Sequence, residues 1–210
     1  MRCFSMIRYS CKILVMNILC ATGNEHKKAE FQKLLPGHKI LTPGDLGIPF
    51  DVDETGSTFT ENALLKASYL FRVTGKPVIA DDSGLCVDAL NGAPGIFSAR
   101  YGNDVLPSDA SFKERYMLLL TALTEAKQRS ARFVCSLVYY FGTDSYYCIQ
   151  ETVEGMIAQE PAGENGFGYD PVFFVPSHGK TMAQLSDSEK NSISHRGKAT
   201  HRLAVLLGSL

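Results

Sequence analysis

Asp81 and Asp82 stand side by side where the apolar stretch Val78-Ile79-Ala80 gives way to Ser83-Gly84. Two adjacent carboxylates at a strand end are costly to ionise together unless a cation or hydrogen-bond donors compensate. One of them can hold magnesium and orient or deprotonate a water molecule, the requirement of hydrolysis at phosphorus. A second acidic pair, Asp53-Glu54, precedes Thr58-Phe59-Thr60-Glu61-Asn62 and Lys66. Its oxygens suit a hard cation, and Asn62 and Lys66, four apart, share a helical face. In isolation an acidic turn and a surface ion pair fit this segment equally well.

Three further segments carry donors or faces for a ligand. Thr22-Gly23-Asn24-Glu25-His26-Lys27 joins a strand to a helix N-terminus, where backbone N–H groups and the helix dipole attract phosphate and Lys27 adds charge. It is not a Walker A loop, and alone it reads as a capped helix with a solvated lysine. In Gly163-Glu164-Asn165-Gly166-Phe167-Gly168-Tyr169-Asp170-Pro171, glycines permit close backbone approach. Phe167 and Tyr169 offer faces to a flat base, and Asp170 offers an acceptor. Lys190 and Ser194-His195-Arg196-Gly197 supply donors suited to a phosphate or a carbonyl oxygen. Standing alone, they read as the solvated start of a basic helix.

These residues need elements to hold them. A buried strand is expected over 18–21, then a helix over 25–35 stopped by Pro36-Gly37. A second helix should start at Thr58, whose hydroxyl forms a capping box with Glu61, and end at Gly75-Lys76-Pro77. A short strand over 78–80 runs into the aspartates. Further elements are a helix over 112–127, strands over 132–141 and 146–158 joined by Gly142-Thr143-Asp144-Ser145, a strand over 171–175, and a helix over 194–207. Helices alternating with strands, plus a hairpin, indicate a mixed α/β protein.

A chain of 210 residues can bury a sizeable core. Its net charge of −1 provides no basic field for a polynucleotide. No apolar run reaches membrane-spanning length, so no membrane partner is expected. The six cysteines form no C-x-x-C pair and read as free thiols of a reducing cytoplasm. Residues 1–15 are unlike the rest: Arg2, Arg8 and Lys12 interrupt the apolar positions. That stretch is read as a disordered extension or a start assigned too far upstream, leaving 16–210 as a single two-lobed domain.

Taken in order, ATGNEHK, ETGSTFTENALLKA, IADDSGL, GAPGIFSARY, ARF, EPAGENGFGYDPVFF and EKNSISHRG closely resemble the inosine-triphosphate pyrophosphatase family. The resemblance runs from about Met16 to the C-terminus. It implies an α/β fold with a long, bent mixed sheet flanked by helices, and two lobes with the active site in the cleft between them. It also implies a homodimer, a Mg2+ cofactor, and hydrolysis of ITP, dITP and XTP to the monophosphate and pyrophosphate. By this resemblance the phosphate loop falls on Thr22, Gly23, Asn24, Glu25, His26 and Lys27, and the helix lysine on Lys66. The proton acceptor and metal ligand falls on Asp82, with Ser83 as the adjoining substrate contact. The acidic metal pair falls on Asp53 and Glu54; a glutamate is more usual at the first, so Glu54 is the stronger expectation. Base and sugar contacts fall on Phe167, Gly168, Tyr169, Asp170, Lys190, His195 and Arg196. Two rivals are a nucleotide sensor without hydrolysis and a pyrophosphatase for modified pyrimidine nucleotides, which the SHRG stretch disfavours.

Overall fold

The computed structural model describes residues 17–208, so the expectation for residues 1–15 lies outside the described residues. The described residues build one seven-stranded sheet in the order β2-β1-β3-β4-β5-β6-β7. Strand β1 (Asn17–Cys20) lies parallel to both β2 (Lys39–Leu41) and β3 (Val78–Val87). From β3 onward the pairing is antiparallel, through β4 (Ser130–Gly142), β5 (Ser145–Ile157), β6 (Phe173–Val175) and β7 (Lys180–Thr181). The sheet is therefore mixed, with helices packed on it, as expected.

Helix α1 (Glu25–Leu34) follows β1, and α5 (His195–Leu206) packs beside it on the same face. Phe31, Leu35, Ala199 and Leu203 meet Cys20, Ile79, Cys135 and Leu137 there. The opposite face is covered by α2 (Phe59–Thr74), where Ala63, Ala67 and Leu70 meet Leu19, Val78, Ala80 and Val138. A third core, around Leu85, Phe133, Val153, Phe173 and Met182, collects the far halves of β3–β5, α3 (Phe112–Ala122) and β6. The long strands β3, β4 and β5 run from the first pair of cores to the third, which gives two lobes on one sheet.

Several elements depart from expectation. The strand expected over 78–80 continues to Val87, so Asp81 and Asp82 lie inside β3, each paired across to β4. The apolar run stops at Ala80, but the backbone ladder does not. Successive side chains point to opposite faces: Asp81 joins the α1/α5 side and Asp82 the α2 side. The parallel neighbour β1 ends at Cys20, opposite Ile79, so the two aspartates begin where β1 stops. That is the crevice at strand carboxyl ends where α/β sheets bind ligands.

Helix α3 ends at Ala122 rather than 127, because the Arg129 guanidinium takes the Leu123 carbonyl at 2.7 Å while bonding Ile157 and Ala158 oxygens. The expected strand over 171–175 begins with a 3-10 turn, Asp170–Val172, and only Phe173–Val175 pairs. The Thr58 hydroxyl caps α2 at the Glu61 N–H, while Glu61 reaches further back, to the Ser57 N–H at 2.6 Å. Sequence reading passed over β2, β7 and α4 (Asp187–Ile193), which Ser186 and Glu189 cap reciprocally.

Candidate active site

A cavity of about 350 Å³ opens at the end of β1 and takes its walls from both lobes. One wall is the turn into α1. Asn24 is the α1 N-cap, accepting from the N–H groups of His26 (2.9 Å) and Lys27 (3.1 Å), and Thr22 Oγ1 accepts from Asn24 N–H. Part of the helix donor set is thus spent on making the turn rigid. Lys27 projects inward and meets Asp81 Oδ2 at 3.1 Å.

The acidic wall is centred on Lys66, which is only 7% exposed. Its Nζ donates to Glu54 Oε1 at 2.7 Å and to Asp82 Oδ1 at 3.1 Å. Asn62, one turn earlier on α2, lies 3.4 Å from Asp82 Oδ2 and accepts from Gly56 N–H at 2.8 Å, tying the acidic loop to the helix. Burial raises the Asp82 carboxyl above the ordinary aspartate value against the pull of Lys66 and Lys27. Burial would raise Glu54 as well, but Lys66, joined by Lys27 and Arg100, holds that group below the ordinary glutamate value. Lys66 itself is lowered by burial and raised further by Asp82, Asp81 and Glu54, so it stays charged.

On the other face of β3 a chain of alternating charges runs through the interior. Arg196 is 1% exposed and donates to Asp81 Oδ2 from Nε (3.2 Å) and Nη2 (2.8 Å). It also donates to Ser83 Oγ (2.8 Å) and Glu30 Oε2 (2.5 Å). Glu30 continues to Lys190 Nζ at 2.7 Å, and Lys190 to Asp170 Oδ2 at 2.6 Å. The same Asp170 oxygen accepts the Phe167 N–H at 2.8 Å, which shapes the glycine-rich loop. Gly166, at φ 75°, leaves no room for a Cβ beside the Asp170 carboxylate. Burial would raise Asp81, but Arg196, then Lys27 and Lys66, hold it far below the usual carboxylate range.

His195 begins α5 and stacks on Phe133 with ring centroids 5.0 Å apart. Burial, then the charges of Arg196 and Lys190, push its pKa well below the ordinary histidine value, so the imidazole is neutral. Its Nδ1 and Asp81 Oδ1 are buried without a hydrogen-bond partner. His195 lines the cavity, so its orphaned ring nitrogen calls for an explanation, and a polar ligand supplies one.

Most sequence-predicted site residues line this one cavity: Thr22, Gly23, Asn24, Lys27, Glu54, Lys66, Asp82, Ser83 and the set from Phe167 to Asp170, with Lys190, His195 and Arg196. Glu25, His26 and Asp53 do not line it and are exposed. Tyr169 is 3% exposed and spends its hydroxyl on the Ser98 carbonyl at 2.8 Å, so its ring forms wall rather than an open face. Sequence reasoning missed Glu30, which holds Lys190 and Arg196 together, and Asp81 as the anchor of Arg196. It also missed the cavity walls formed by Phe50, Phe112 and Phe133. Glu30 sits in an ordinary helical stretch with no local signal; only the packing of α1 against α5 reveals it.

The Ham1 family model matches residues 18–206. A dITP/XTP pyrophosphatase of Treponema denticola is 53% identical over 184 residues, covering 88% of this chain and 94% of the relative. The protein of the same name from Shigella flexneri is 48% identical, covering 93% of this chain and 98% of its own. The solved structure of a HAM1 protein from Coxiella burnetii superposes with a TM-score of 0.83 at 43% identity, covering 93% of this chain and all of that one. On sequence, fold and the extent of both matches, the chain belongs to the Ham1 family.

Proposed function

We propose that this protein hydrolyses noncanonical purine nucleoside triphosphates, ITP, dITP and XTP, to the monophosphate and pyrophosphate. The observation that carries this reading is a single cavity holding both halves of the task. Asp82 and Glu54 flank the Lys66 ammonium at one side, and Phe167, His195 and Arg196 stand at the other. Water attacks the α-phosphorus, the α–β anhydride bond breaks, pyrophosphate leaves, and the water proton passes to the Asp82 carboxylate. Burial raises the proton affinity of Asp82, which suits it to the task. Lys27, Lys66 and the α1 N-terminus offset the charge of the triphosphate.

Glu54 and Asp82 fit a divalent cation. Both are oxygen donors, and both reach the same point, the Lys66 ammonium. Magnesium characteristically takes one or two carboxylates and completes its shell with substrate phosphate and water. Bound there, Mg2+ would neutralise phosphate charge and polarise the phosphorus–oxygen bonds. Asp53, exposed and away from the cavity wall, takes no direct part in this reading.

Base choice follows from donors. Hypoxanthine and xanthine present a carbonyl at C6, where adenine presents an amino group. A neutral His195 offers one N–H, and Arg196, after bonding Asp81, Ser83 and Glu30, has one donor left. Donors left unpaired against adenine discriminate by up to about 10⁴-fold in favourable cases. Among the described residues no helix is long and apolar enough to cross a membrane. By the family resemblance the protein is read as a homodimer whose residues 16–210 act as one unit, and its nucleotide substrate and free cysteines suit the cytoplasm. The test is a panel of nucleoside triphosphates with magnesium, scored for pyrophosphate and orthophosphate. Pyrophosphate from ITP, dITP and XTP is expected, with ATP and GTP slow. Orthophosphate as the main product, or binding of ITP without turnover, would overturn the assignment.

A further inference from the structure

His26 lies on the first turn of α1, exposed and outside the cavity wall. Its ring lies against the ring of Phe167, with centroids 5.2 Å apart and planes 10° from parallel. Phe167 is the tip of the segment 163–168, whose glycines Gly163, Gly166 and Gly168 have φ of 84°, 75° and 66°. The base of that segment is pinned: Asn165 N–H and Nδ2 donate to the carbonyls of Ala183 and Leu185, both at 3.0 Å, and Asp170 accepts the Phe167 N–H. Its tip is held through the Phe167 ring, by His26 from one side of the cavity mouth and by the Lys190 ammonium, 5.0 Å from the ring centroid.

The His26 N–H is itself fixed by Asn24 in the turn that faces the phosphates. The stacked pair therefore ties the phosphate-facing turn to the base-facing loop. We propose that His26 is a positioning residue: it docks on Phe167 and holds the 163–168 loop across the cavity mouth, so that binding of the base depends on it. The chemistry of the step is untouched. This inference rests on the proposed function only for its substrate, a purine nucleoside triphosphate.

The test is His26→Ala beside His26→Phe, assayed with ITP, and with inorganic tripolyphosphate as a competitive inhibitor. An aromatic pair of this kind corresponds to about a 2- to 13-fold change in an equilibrium. The KM for ITP is expected to rise by that factor in His26→Ala, with kcat within about twofold. His26→Phe should restore it, and the inhibition constant of tripolyphosphate, which has no base, should stay the same. An equal rise for ITP and tripolyphosphate would make His26 a phosphate contact and overturn the proposal, as would an unchanged KM. The protein has no tryptophan, so Phe167→Trp adds a lone emission reporter for the stack. Its spectrum should shift when His26→Ala is added, even if ITP is no substrate; no shift refutes the docking contact itself.

Discussion

Replacing Asp82 by asparagine keeps the shape of the side chain and removes its charge. Lys66 would retain Glu54 at 2.7 Å, so no buried ammonium is left alone. The penalty of about 3–5 kcal/mol for stripping one partner from a buried pair is thus largely avoided. The ionised carboxylate is also costly where it stands, since burial raises its pKa, and the amide does not carry that cost. Stability should change by less than about 1 kcal/mol, which moves Tm by no more than about 2–4 °C in a domain of this size. Activity should respond very differently. The amide cannot take a proton from water, a role worth about 10²–10⁴-fold, or about 2.7–5.4 kcal/mol of barrier. The assay is pyrophosphate release from saturating ITP with magnesium, alongside a thermal melt. The wild-type pH profile should show an acid limb above the ordinary aspartate pKa, because the carboxylate must be ionised to act, and the variant should lack it. A folded Asp82→Asn protein with kcat within tenfold of wild type would refute the reasoning.

Other outcomes follow from the same charges. Lys66→Met should leave Glu54 and Asp82 without their shared ammonium and cut kcat/KM for ITP by at least about 10²-fold. Magnesium should then raise its Tm more than that of the wild type, and equal shifts would place the cation elsewhere. Asp81→Asn leaves Lys27 without its carboxylate partner and Arg196 with Glu30 alone. Because Asp81, unlike Asp82, is held far below its ordinary pKa, its ionised form is net stabilising, and its loss should cost about 3–5 kcal/mol at neutral pH, seen as a Tm lower by roughly 6–20 °C. Because the folded-state pKa of Asp81 is depressed, its contribution is present above the unfolded value and lost as pH falls below it, so the difference should shrink in strong acid. His195 is likewise depressed: the unfolded chain gains a proton near pH 6.5 and the folded one does not. Stability should fall as pH drops below that value, and His195→Gln should flatten that part of the curve in pH-dependent melts.

The sequence by itself marked the segments able to carry chemistry. The aspartate pair at 81–82 and the glycine-rich loop stood out as local signals, whereas the stretches holding Lys27 and His195-Arg196 read alone as ordinary helix starts and the one holding Glu54 and Lys66 read equally well as a surface ion pair. Only their collinear resemblance to a family gave Asp82, Glu54, Lys66, Lys27, His195 and Arg196 their expected roles. The strand–turn–helix opening and the capped α2 were readable locally, since caps and turns act over a few residues. Only the tertiary structure decided which face each carboxylate serves. Asp81 and Asp82 are neighbours in the chain, yet β3 continues past the apolar run and sends them to opposite sides of the sheet. One becomes the buried anchor of Arg196, 115 residues away, and the other the partner of Lys66. Glu30, the link between Lys190 and Arg196, carries no local mark, since its role exists only once α1, α4 and α5 pack together. Local patterns report what a side chain can do; burial and long-range pairing decide what it is charged with and what it faces.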